Sequence, residues 1–304
     1  MSSLPCRWPP FPAAGCVAPP ARPAPAALLT RHTMHDAHLQ LLPLAPPLQQ
    51  PLPVDPRDLP ARNAVAVYLM ELELPADAMR TNMYLPLLAL GELARWQAIR
   101  PRERQWQYLQ SRVLQRVVLG AYIDDDPRAL AFTRDRWGRP CLAEHEGLHF
   151  SLAQCASHVA LAIGSDPVLG MEVATVAPLR RGFMRIAHRL FHQDDLAQLL
   201  ECPEERRHAR FLELWTLKEA YRKALGAGMP RPLAACGFGR TPEGVIVARD
   251  RVPLPDRPAP DAFIAQRRMR DCQIAVAYRR GRPVRFRYLH GSAALPWPET
   301  AADT

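Results

Sequence analysis

Lysine is nearly absent from this chain: of 39 basic residues only Lys218 and Lys223 are lysines, and the other 37 are arginines. A chain so biased keeps lysine where the broad planar fork of arginine does not serve, which marks both positions for sites that need a compact ammonium. No apolar run reaches the roughly eighteen residues of a membrane span, so a spanning helix is excluded and a soluble protein is expected. Paired cysteine spacing is also lacking. The seven cysteines, at 6, 16, 141, 155, 202, 236 and 272, are odd in number and contain no Cys-x-x-Cys. That argues against a disulfide scaffold and for reduced thiols in a cytoplasmic protein. His188 and His192 with Asp194 and Asp195, and Cys141 with His145 and His149, have spacings a metal could use. Neither matches a zinc pattern with both halves present.

Arginine and proline are what the chain has in excess. The formal net charge is +9, and 15 of the 33 prolines fall within residues 1–60. Proline fixes φ and removes a donor, so that segment propagates neither a helix nor a central strand. Residues 1–60 are therefore expected to be a disordered Pro-rich leader, with Met34 as an alternative start, and residues 291–304 a disordered tail. The leader carries four Arg and three Asp, so nearly all of the net charge belongs to the folded remainder. The clusters Arg267-Arg268-Met269-Arg270 and Arg279-Arg280-Gly281-Arg282 leave an Arg-rich nucleic-acid binder as a remote reading. No stacking aromatics or recognition helix accompany them, so a solvated face and no nucleic-acid partner are expected.

Hydrophobic periodicity places the elements. Residues 64–69 read as a buried strand, and 91–120 as two helices separated at Arg100-Pro101, because the residue before proline avoids the α region. Residues 148–163 read as a strand pair and 168–173 as a further strand. Helices are expected near 180–190, 194–201 and 204–225, the last ending at Gly226, with strands again at 244–248 and 273–278. The fold class is α+β, with two similar halves at 61–163 and 164–290 in a pseudo-two-fold arrangement and a cofactor site between them.

The densest chemical signal is Trp215-Thr216-Leu217-Lys218-Glu219-Ala220-Tyr221-Arg222-Lys223-Ala224-Leu225-Gly226. On a helix Glu219 and Lys223 share a face at i and i+4. An exposed ion pair would tolerate arginine, yet both lysines of the chain are here, which points to a tight phosphate site. Trp215 is expected to pack the helix. The pattern closely resembles the signature of the surfactin-synthetase-type 4′-phosphopantetheinyl transferases. Trp137-Gly138-Arg139-Pro140, Phe150-Ser151-Leu152-Ala153-Gln154-Cys155 and Leu169-Gly170-Met171-Glu172-Val173-Ala174 resemble further family segments in the same order.

The resemblance implies Mg2+-dependent transfer of the phosphopantetheine arm of coenzyme A to a serine of an apo acyl or peptidyl carrier protein, releasing 3′,5′-ADP. It implies that Glu219 and Lys223 are catalytic and that Glu172 and Glu219 hold the metal. It also implies that Arg139, Gln154, Lys218 and Lys223 bind the cofactor. The chain departs from the family at several of these positions. Glu172 stands where the family has Asp, Ala174 where it has a second metal-strand carboxylate, Gln154 where it has His, and Gln107 where it has Arg. A non-catalytic homologue that binds carrier protein or coenzyme A is the alternative reading. A monomer is expected, and no nucleophile is required of this chain, since the serine belongs to the partner.

Overall fold

In a computed structural model, the described residues are 65–72, 78–136, 138–176, 182–226, 233–240, 246–250, 262–269, 271–279 and 284–289. The Pro-rich leader, Met34, Trp137, the tail at 291–304 and most of the Arg279–Arg282 cluster lie outside them. The architecture is α+β, built on two sheets. Strand β1 (Val65–Glu71) is buried from Val65 to Met70 because it lies in the middle of the molecule. Its alternate residues Ala66, Tyr68 and Met70 enter one apolar cluster, while Val65, Val67 and Leu69 enter another. That two-sided burial is why its sequence is continuously apolar instead of alternating.

Strands β2 (Phe132–Arg134) and β3 (Pro140–Leu142) form a small hairpin. Strands β4 (His149–Gln154) and β5 (His158–Gly164) pair antiparallel, and β5 in turn pairs antiparallel with β1. Helix α1 (Ala78–Tyr84), a short 3-10 turn at Leu85–Leu87, and helices α2 (Leu90–Ala98) and α3 (Arg102–Ile123) cover this sheet. Leu109, Val113, Leu114, Val117 and Val118 of α3 meet Val159, Leu161 and Ile163 of β5. The helix pair breaks where Pro101 sits, as its local sterics require.

The second sheet has β6 (Leu169–Thr175) at one edge and β7 (Cys236–Arg240) at the other. Between them lie β8 (Ile246–Asp250), β9 (Ala262–Met269) and β10 (Cys272–Arg279), in the order β6-β10-β9-β8-β7. Helices α4 (Phe183–Leu190), α5 (Gln193–Glu201) and α6 (Glu204–Leu225) lie on its outer face. The inner face, through Leu169, Met171, Val173, Ile274 and Val276, packs on Val65, Val67, Leu69, Ala160 and Ala162 of the first sheet. The layers thus run helix, sheet, sheet, helix, with an apolar seam in the middle.

Strands β2, β3, β7 and β9 were not expected from the sequence, and neither was a fifth, which crosses the expected halves. β11 (Val284–Leu289) pairs parallel with β1, giving the first sheet the order β11-β1-β5-β4. Residues 284–289 therefore join the first sheet and not the one built by the rest of 164–290. Among the described residues no helix is long and apolar enough to cross a membrane.

Among the described glycines the tightest surroundings are at Gly170, where β6 runs under α6. A Cβ there would collide with the backbone carbonyl of Ala220 and the backbone nitrogen of Ala224. Gly170→Ala is therefore expected to cost ~1–3 kcal/mol by forcing the helix off the strand. The urea midpoint should fall with little change in slope. An unchanged midpoint would show that α6 has room to move.

Candidate functional site

The approach at Gly170 is what assembles the site. Gly170, Glu172 and Ala174 occupy the face of β6 opposite Leu169, Met171 and Val173, so Glu172 is directed away from the apolar seam and toward α6. Glu219 and Lys223, one turn apart on α6, reach the same place. The Lys223 ammonium lies 2.7 Å from Glu172 Oε2 and donates to the Leu152 carbonyl on β4 at 3.3 Å. Strand β4 is held beside β6 by the Met171 N–H, which donates to Ser151 Oγ at 3.0 Å. The edges of the two sheets therefore meet where the carboxylates and the ammonium gather.

Burial pushes the Glu172 carboxyl above the ordinary carboxylate range; Lys223 opposes that shift and the charge of Glu219 adds to it. The effect of Glu219 on Glu172 means the two carboxylates feel each other. Glu219 itself is held by Arg222, whose Nη2 lies 2.6 Å from Oε2. Two hard carboxylates, each now answered by a neighbouring cation, fit a divalent ion such as Mg2+ that takes one or two protein carboxylates and keeps several waters.

Arg139 approaches from the β2–β3 hairpin. It follows Gly138, whose φ of 78° suits a tight turn, and its backbone N–H donates to Asp135 Oδ1 at 2.9 Å. Its Nη2 donates to the carbonyls of Lys223 at 2.9 Å and Ala224 at 2.7 Å, and Nη1 donates to Pro167. A cation on the last carbonyls of a helix is favourably placed against its dipole. Arg139 thus fixes the end of α6 that carries Lys223, a role that its expected place at coenzyme A did not suggest. Gln154 ends β4, half-buried, two residues beyond Leu152.

Lys218 is the correction. The sequence reading put it on phosphate with Lys223; the structure puts it on the opposite side of the helix, 2% exposed. Its ammonium lies 2.6 Å from Asp195 Oδ2 and donates to the carbonyls of Cys236 at 2.6 Å and Leu233 at 3.1 Å. The rings of Phe191 and Phe238 flank it at 5.3 and 5.4 Å. Neighbouring helical residues diverge by about 100°, so Lys218 cannot point where Glu219 points. Lysine is still required here, because a compact ammonium with three donors fits three oxygens that a guanidinium would spread apart.

Trp215 stacks on Phe211 with ring centroids 6.0 Å apart, packing the helix as expected. His192, one of the histidines with metal spacing, caps α5 by accepting the Asp194 N–H at 3.2 Å. Sequence reasoning missed Arg222 and Ser151; the i, i+3 spacing of Glu219 and Arg222 was the available signal for the first.

Residues 169–277 match the 4′-phosphopantetheinyl transferase superfamily. The chain is 29% identical over 158 residues to slr0495 of Synechocystis sp., whose name provisionally assigns it 4′-phosphopantetheinyl transferase activity; the match covers 51% of this chain and 63% of that protein. It spans less than two thirds of that relative. The chain is also 23% identical over 194 residues to the 4′-phosphopantetheinyl transferase ffp of Bacillus subtilis, covering 64% of this chain and 83% of the other. Among solved structures, Thermotoga maritima holo-[acyl-carrier-protein] synthase overlays 36% of this chain and 60% of its own, at 19% identity and a TM-score of 0.29.

Proposed function

From the match of residues 169–277 to the 4′-phosphopantetheinyl transferase superfamily, we propose that this protein moves the 4′-phosphopantetheine arm of coenzyme A to a carrier-protein serine. The observation that supports the reading most is the Glu172–Lys223 contact at 2.7 Å, with Glu219 one helical turn away. Both carboxylates and the ammonium lie inside the matched residues.

Glu172 and Glu219 would hold Mg2+, which when bound neutralises charge on the pyrophosphate as the phosphoryl group moves. Glu219, directly or through a water, takes the proton from the serine hydroxyl of the apo acyl or peptidyl carrier protein. The serine oxygen forms a bond to phosphorus, the pyrophosphate P–O bond breaks, and 3′,5′-ADP leaves. Lys223, steadied by the Leu152 carbonyl, gives its ammonium to a phosphate oxygen once Glu172 is engaged elsewhere. Arg139 positions the end of α6, and Gln154 offers a neutral amide to the cofactor from the end of β4. Coenzyme A would lie between the two sheet-and-helix layers, where the edges of β4 and β6 meet, an arrangement that suits two similar halves.

The net charge of +9 would steer encounter with an acidic carrier, so rates should fall as salt rises. We place the protein in the cytoplasm as a monomer. The decisive experiment incubates the full chain with coenzyme A, Mg2+ and an apo carrier domain and follows the carrier's mass. Addition of the phosphopantetheine mass supports transfer; unmodified carriers with coenzyme A still bound would establish a non-catalytic homologue instead. Glu172→Ala is expected to reduce transfer at least ~100-fold, since even indirect support of a metal ligand is worth 10–100-fold. Full activity in that variant would remove β6 from the metal site.

A further inference from the structure

A second cluster of donors lies where the two sheets meet at the other end of β6, and the proposed transfer uses none of it. Cys155 and His158 flank the two-residue turn Ala156-Ser157 between β4 and β5, closed by the Cys155 N–H donating to the His158 carbonyl at 2.9 Å. Asp271 and Cys272 come from the turn between β9 and β10. The donor atoms of Cys155, His158 and Cys272 all lie within 4.8 Å of one another. We infer that Cys155, His158, Cys272 and Asp271 form a site for a thiophilic divalent cation of the zinc class.

The distances carry the inference. Cys155 and Cys272 Sγ are 3.9 Å apart, His158 Nδ1 lies 3.0 Å from Cys272 Sγ, and Asp271 Oδ1 lies 3.6 Å from His158 Nδ1 and 3.7 Å from Cys272 Sγ. Four ligands arranged tetrahedrally at about 2.0–2.3 Å from zinc stand roughly 3.3–3.8 Å from each other. The Cys272–His158 pair must open by a few tenths of an ångström, because a hydrogen bond now joins them, and the Asp271 carboxylate must swing toward Cys155 to complete the set. The surroundings orient the set. Ser157 Oγ donates to Asp271 Oδ2 at 3.0 Å and contacts Thr175 Oγ1 at 3.1 Å, which turns Oδ1 toward the thiols.

Burial is graded as an ion site needs. His158 is 2% exposed and Cys272 fully buried, whereas Cys155 and Asp271 reach solvent and leave an entry path. Two sulfurs and an imidazole select zinc over magnesium, so this site does not compete with Glu172 and Glu219. Thr175, beside it, is roughly 10 Å along β6 from Glu172. The ion would join the turn of one sheet to the turn of the other.

Metal-stripped full-length protein, kept reduced, should be titrated with Co2+ and then Zn2+. The expected result is a stoichiometric thiolate-to-cobalt charge-transfer absorption that Zn2+ displaces. Cys155→Ser, at a half-exposed position that leaves the core intact, should abolish the band, with circular dichroism unchanged. Asp271→Asn should weaken Co2+ affinity about tenfold. Absence of the band, its persistence in Cys155→Ser, or a Cys155–Cys272 disulfide in the protein as isolated would each overturn the assignment.

Discussion

Glu219→Gln is expected to abolish phosphopantetheine transfer, lowering the rate by more than about 10³-fold. General-base catalysis alone contributes ~10²–10⁴-fold, and in the proposed site the same carboxylate also holds the metal. The substitution keeps the shape of the side chain and an oxygen facing Arg222, which now pairs with Oε2 at 2.6 Å. Stability should therefore change by about 1 kcal/mol or less, since Arg222 is partly exposed and keeps an oxygen to donate to. The measurement is the carrier mass shift at saturating coenzyme A and Mg2+, beside a urea unfolding curve. A variant that folds normally and keeps a rate within tenfold of the parent would remove Glu219 from both roles.

Lys218→Met should act in the opposite way, on the fold. Asp195 is fully buried, and its carboxylate is answered by Lys218 on one oxygen and by the Phe238 N–H on the other. Removing one member of a buried pair costs ~3–5 kcal/mol, because the remaining charge is stranded. Against a total of ~5–15 kcal/mol, that leaves a marginal protein. Chemical denaturation would show the midpoint collapsing, and the double variant Lys218→Met with Asp195→Asn should recover part of the loss. A Lys218→Met protein of normal stability that has lost coenzyme A affinity would restore the phosphate role and contradict the buried geometry.

These two residues also show how far the sequence reaches. Glu219 and Lys223 were legible because the helix period states which side chains share a face, whereas Glu172 was legible only through the resemblance of its segment to the family's metal strand; the structure brings Lys223 to Glu172. Lys218 was legible as a constrained lysine, but composition names the need for a compact ammonium without naming its partner. The partner, Asp195, lies on another helix and is found only through packing. Strands β1, β5, β6 and β10 announce themselves as apolar runs. β7, with two glycines in five residues, carries no such run. β11 alternates as Val-Arg-Phe-Arg-Tyr-Leu, yet no strand was expected there, and its pairing with β1 could not be named because register across so long a separation is set by tertiary contacts. Cys155 and His158 show a visible Cys-x-x-His spacing, while Cys272 joins them only when the sheets pack.

The pairing of β11 with β1 has a consequence for how the chain acquires its shape. β1 is made more than two hundred residues before its parallel partner and has no neighbour on one side until residues 284–289 exist. An apolar strand with an open edge is a template for wrong pairing, so the growing chain carries this hazard until those residues are made. The same pairing laces the two sheets together: cutting between them would leave one fragment with a sheet missing an edge and the other with an orphan strand. The two layers are therefore expected to fold as one cooperative unit, and the junction of β4 and β6 forms only when both sheets are in place.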